Sequence, residues 1–111
     1  MIVKHYSEVE RKLVEEAKNT YIRWLIGEDL NPPNFYMRLF EVEEGGETPY
    51  HTHDWEHEVF VLEGEGAVRN EKGELIPLKP GTFVLVKPNE KHQFINTGRG
   101  TLKFLCLVPK K

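Results

Sequence analysis

One cysteine, Cys106, stands among 111 residues, so no intrachain disulfide can form and nothing points to an oxidising compartment. No apolar run approaches the roughly 20 residues of a membrane span. The opening residues Met1-Ile2-Val3-Lys4-His5 lack the long apolar stretch of a secretory signal. A cytoplasmic protein with no membrane partner is expected. Basic residues are dispersed and the net charge is −3, so no patch suits a phosphate backbone and nucleic acid is not an expected partner. A glycine-rich phosphate loop is absent, and no Ser-His-Asp arrangement is discernible. A chain of this length reads as a single domain, residues 1–111, with a core that needs no disulfide staples.

Histidine is concentrated instead. Three of the five histidines fall in His51-Thr52-His53-Asp54-Trp55-Glu56-His57. In a strand, residues i and i+2 share a face, so His51 and His53 would project side by side. A turn at Asp54 would let His57 rejoin them. Neutral imidazole ligates Zn, Cu, Fe and Ni, and this spacing predicts a metal site. The bland alternative is a polar loop carrying scattered surface histidines.

The rest of the chain reads mostly as β. Ser7 and Glu10 fit a capping box, and Val9, Leu13, Val14 and Ala17 recur at helical spacing, which predicts a short helix over about residues 8–18. Thr20–Ile26 is β-branched and aromatic, a strand ended by Gly27. Asn31-Pro32-Pro33-Asn34 breaks the chain. Phe35–Val42 is the next strand, closed by Glu43-Glu44-Gly45-Gly46. Further strands are expected at 58–62, 67–69, 75–78, 83–86, 92–96 and 101–108, each set off by Gly, Pro or Asn turns. Many short, regularly punctuated strands argue an all-β sandwich or barrel.

Two stretches carry a resemblance to a family. Gly45, His51, His53 and Gly64 fit the first cupin motif, G-x5-H-x-H-x3,4-E-x6-G, with His57 in the Glu position. Gly81, His92 and Asn96 fit the second, G-x5-P-x-G-x2-H-x3-N; Pro88 is displaced by one residue and Asn89 replaces the Gly. Asn is the residue after Gly best able to adopt left-handed turn geometry. The chain therefore resembles a small single-domain cupin, with motifs at about 45–64 and 81–96. The resemblance implies a double-stranded β-helix, or jelly-roll barrel. It also implies that His51, His53, His57 and His92 converge on one divalent metal with two open positions, manganese or iron first and nickel, copper or zinc behind. Histidine in place of Glu leaves the ion its full double charge, which favours anionic ligands.

Around that site, Phe94, Phe104 and Cys106 are in phase to line the barrel, though Cys106 also reads as a plain buried hydrophobe. Arg38, in an otherwise apolar strand, suits a bidentate grip on a substrate carboxylate; a surface or interface ion pair is the plainer reading. The Glu-rich runs 8–16 and 41–47 read as solvated faces, and Glu58, next to His57, points away. A metal-dependent oxygenase acting on a small organic molecule is the first functional reading, since two adjacent open positions on a redox metal would bind substrate and dioxygen together, and no free His or inward carboxylate serves as a proton shuttle for a non-redox reaction. A metal-dependent isomerase or lyase and a non-catalytic binding module are the alternatives. A homodimer is expected from the resemblance and from the apolar segment Tyr21, Ile22, Trp24, Leu25 and Ile26.

Overall fold

The computed structural model describes all of residues 1–111. Nine strands run in chain order: β1 (Lys12–Leu13), β2 (Lys18–Ile26), β3 (Phe35–Glu47), β4 (His57–Glu63), β5 (Gly66–Arg69), β6 (Leu75–Leu78), β7 (Phe83–Val86), β8 (Gln93–Asn96) and β9 (Leu102–Pro109). All pairings are antiparallel, in the order β6-β5-β8-β3-β9-β4-β7, with β2 on β3 and β1 on β2. The sheet curls into a half-barrel around its apolar face. No helix is long and apolar enough to cross a membrane.

Alternation sets the inward face. In β4, His57, Val59 and Val61 are buried while Glu58, Phe60 and Leu62 are exposed, so Glu58 does point away. In β9, Leu102, Phe104, Cys106 and Val108 face in. Together with Val42 and Phe94 they form the core, the period-2 pattern of a sheet with one covered face.

β3 holds the two halves together. The glycines at 45 and 46 do not end it, as the sequence reading expected; they bend it. Gly45 has φ +78°, and a Cβ on Gly46 would lie 2.7 Å from the Lys18 carbonyl oxygen, so only Gly lets β2 pass. Past this corner β3 leaves β9 and pairs Glu47 with Ile95 of β8.

The helix expected over 8–18 does not form. Tyr6–Glu8 makes one 3-10 turn and Lys12–Leu13 pairs with Ile22 and Tyr21. The reciprocal cap is His5 with Glu8, not Ser7 with Glu10. Arg23 Nη1 donates to the Val9 carbonyl at 2.7 Å and Arg11 Nη2 reaches Glu43 at 2.7 Å. These cross-chain bonds satisfy groups that a lone helix would pair internally, so tertiary context overrides propensity. The Glu41–Glu47 run is not wholly solvated either. Glu41 is 3% exposed and lies among Arg11, Arg23 and Lys103 at 3.4, 3.4 and 4.0 Å.

Candidate metal centre and its cavity

The four motif histidines come together at the mouth of the half-barrel. His51 and His92 exchange both backbone hydrogen bonds, at 3.2 and 3.1 Å, an isolated antiparallel bridge that sets their rings on one side. His53 follows two residues on, and its Nε2 lies 3.1 Å from that of His51. The bend at Asp54–Trp55 then returns the chain so that His57 opens β4 facing inward. Asn89 adopts φ +68°, the left-handed turn that its place in the second motif requires, and its N–H donates to the His53 carbonyl at 2.6 Å. The turn thus ties the second motif to the first.

Ring nitrogens of His51, His53 and His92 all lie within 4.8 Å of one another. His57 does not meet that mutual spacing, but its ring centroid is 5.0 Å from those of both His53 and His92. Its Nε2 is enclosed and has no hydrogen-bond partner. A buried orphan nitrogen costs free energy unless something binds it. His92 Nδ1 donates to the Glu90 carbonyl at 2.8 Å, which leaves the Nε2 lone pair for an ion. His57 Nδ1 faces Cys106 Sγ at 3.3 Å and Arg38 Nη2 at 3.4 Å. Trp55 stacks on His53 with centroids 4.6 Å apart. The donor set fits a divalent cation that accepts nitrogen ligands.

The electrostatics agree. Burial holds His57 down to about 3, helped by His92 and Arg38. Burial likewise brings His53 down to about 4, with His51 and His92 adding to it. His51 is lowered by burial and by His92, against Glu16. These imidazoles are neutral at pH 7, as ligands must be. Burial pushes the Cys106 thiol up despite the Arg38 cation beside it, so its sulfur stays protonated.

The histidines open into a cavity of about 440 Å3 that Phe94, Phe104, Cys106 and Arg38 all line. Arg38 makes no ion pair at the surface; it points inward, with Nη2 2.9 Å from Cys106 Sγ. The sequence reading missed Lys12, Glu15 and Glu16, which the β1–β2 hairpin brings to the cavity. Glu15 and Glu16 belong to the Glu-rich run 8–16 read as a solvated face; they are exposed and line the cavity as well. Tyr50 flanks the ligands in sequence but donates to the Asn70 carbonyl. Asn96 secures a turn, with Nδ2 donating to the Val42 and Gly100 carbonyls at 2.8 Å each.

Residues 38–108 match the cupin domain family. This chain is a cupin. Over its full length it superposes on 80% of the polyketide cyclase RemF from Streptomyces resistomycificus, with a TM-score of 0.94 and 32% identity. It is 32% identical to an L-ectoine synthase of Vibrio campbellii over 95 residues, 83% of this cupin and 72% of that protein. An oxalate-binding protein of Thermotoga maritima is 30% identical over 79 residues, 70% of this chain and 64% of its own.

Proposed function

We propose that this cupin is a metal-dependent enzyme of non-oxidative proton-transfer chemistry, an isomerisation, elimination or ring closure of a small oxygen-bearing molecule. The observation that carries the reading is the β1–β2 hairpin, which sets the exposed Glu15 and Glu16 along the cavity that the four imidazoles also line. Oxygenation, favoured in the sequence by two adjacent open metal positions for substrate and dioxygen, gained from the lack of an inward proton-transfer group. Glu15 and Glu16 along the cavity supply candidates for that group. Similarity to a polyketide cyclase and an L-ectoine synthase supports the same direction.

His51, His53, His57 and His92 would hold the ion, manganese, iron, nickel, copper or zinc, since proton transfer demands no change of oxidation state. When bound, it would polarise a substrate oxygen and stabilise negative charge developing there. The protein's part is positional. Glu16, which lines the cavity, would take a proton at its carboxylate oxygen and return it. Phe40, Phe94 and Phe104 line the cavity with apolar surface and exclude water. Their stack, with centroids 5.3 Å (Phe40–Phe104) and 4.8 Å (Phe94–Phe104) apart, strengthens charge interactions by keeping the local dielectric low.

The test is anaerobic hydrogen exchange in D2O, followed by NMR on a panel of β-keto acids and β-diketones with ion-loaded protein. Exchange lost in His53→Ala and reduced at least tenfold in Glu16→Gln is expected. Turnover that consumes dioxygen, with no anaerobic exchange, would contradict the proposal and restore the oxygenase reading.

A further inference from the structure

Arg38 is a cation without an anion. It lies mid-strand in β3, opposite Trp24 of β2 and Cys106 of β9, and its side chain enters the cavity. The guanidinium carbon sits 5.0 Å from the Phe40 ring centroid and 5.5 Å from that of Trp24. Nη2 contacts Cys106 Sγ at 2.9 Å and His57 Nδ1 at 3.4 Å. Nε is enclosed and unpartnered. No carboxylate lies within ion-pair distance of it, whereas Arg23 and Lys103 share the buried Glu41. The fold thus supplies an anion to the half-buried cations on the opposite face of the sheet and withholds one from Arg38.

Arg38 is half-buried, and a guanidinium partly withdrawn from water without a counter-charge carries a cost. Aromatic faces recover part of that cost through cation–π attraction, but they supply no anion. A neutral thiol is a weak acceptor. The neighbouring imidazoles add no negative charge. Glu15 and Glu16 line the same cavity, but neither forms an ion pair with Arg38.

We propose that the cavity takes a carboxylate-bearing substrate with a flat apolar body, its carboxylate paired end-on with Arg38 and a second oxygen facing the imidazoles. This rests on the reading of the histidines as the reacting centre, and it adds the substrate class. A planar fork suits a carboxylate in two parallel hydrogen bonds. Phe94, Phe104 and Leu13 line the same space and suit an aromatic or conjugated body. A volume of about 440 Å3 is in the range of small-molecule pockets.

Calorimetric titration with salicylate and its uncharged amide, salicylamide, tests this in chelator-treated and in ion-loaded protein. In both states the acid should bind about ten- to a hundredfold more tightly than the amide, the worth of a charged hydrogen-bonded pair. Arg38→Gln should abolish the preference, and Arg38→Lys should keep a part of it, with far-UV circular dichroism confirming the fold. Equal binding of the two probes by the unsubstituted protein, absence of salicylate binding at millimolar concentration, or a preference undiminished in folded Arg38→Gln would overturn the proposal. An acid preference in protein that takes up no ion would leave the anion site standing and remove the metal reading.

Discussion

Asn96 shows how much one side chain can carry. Its amide donates to two carbonyls and its Oδ1 accepts from Gly98 N–H at 2.9 Å, while Val42, whose carbonyl it holds, is fully buried. Asn96→Ala strands that carbonyl and should cost about 2–3 kcal/mol in urea denaturation. The histidines make a second prediction at this scale. In the folded chain His57 and His53 titrate near 3 and 4, below the unfolded value of about 6.5. Between those values the unfolded state binds more protons, so stability rises with pH. Metal-free protein should be at full stability above about pH 6.5 and lose it steadily as pH falls towards 4. Thermal melts from pH 8 to 5, above most carboxylate titration, should decline less in a His53→Gln/His57→Gln double variant. An unchanged decline would assign the loss to other groups. These residues were legible in the sequence because ligand spacing is local. Arg38 and Glu16 were less so, because no local pattern says which way a charged side chain turns. The plainer reading of Arg38, an ion pair at the surface, assumed that charge seeks water, whereas here it is held by Trp24, Phe40 and Cys106.

At the scale of elements, turns and strands were legible and the N-terminal segment was not. Gly81, Asn89 and Gly73 sit at positive φ where the turn signals fell, and β7 matches its expected span. The segment before β2 carries both a helical period and residues able to pair across to β2 and β3, and only the assembled sheet decides between them. Glu41 decides it in part, since it gathers Arg11 and Arg23 from either side of β1. Glu41→Gln removes the negative charge from beneath these cations. A loss of about 2 kcal/mol is expected, less than for a fully enclosed pair because Arg11 remains about a third exposed. Hydrogen exchange at the amides of residues 9–17 should accelerate in that variant, because the hairpin would open locally before the barrel does. Equal protection in both proteins would show that the hairpin is held by something else.

Across the whole molecule, the outer face of β4 and β7 bears on assembly. Phe60 and Phe83 are register partners; with Leu62 and Leu85 they form an exposed apolar surface, Phe83 being 78% exposed. The apolar segment Tyr21–Ile26 pairs with β3 and is half-buried, with Trp24 39% exposed. A homodimer through the β4–β7 face is expected. Sedimentation velocity at micromolar concentration should give a dimer for the unsubstituted chain and a monomer for Phe83→Lys; a monomeric parent would refute it. The central claim concerns the four imidazoles: the curled sheet brings ring nitrogens of His51, His53 and His92 within 4.8 Å of one another and sets the His57 ring 5.0 Å from those of His53 and His92. Elemental analysis with X-ray absorption at the metal edge, on protein purified without added metal and on each His→Ala variant, tests it most directly. One divalent ion per chain, ligated by imidazole, with stoichiometry lost in His51→Ala, His53→Ala, His57→Ala and His92→Ala, is the predicted result. No bound ion, or full stoichiometry retained in His57→Ala or His92→Ala, would contradict it.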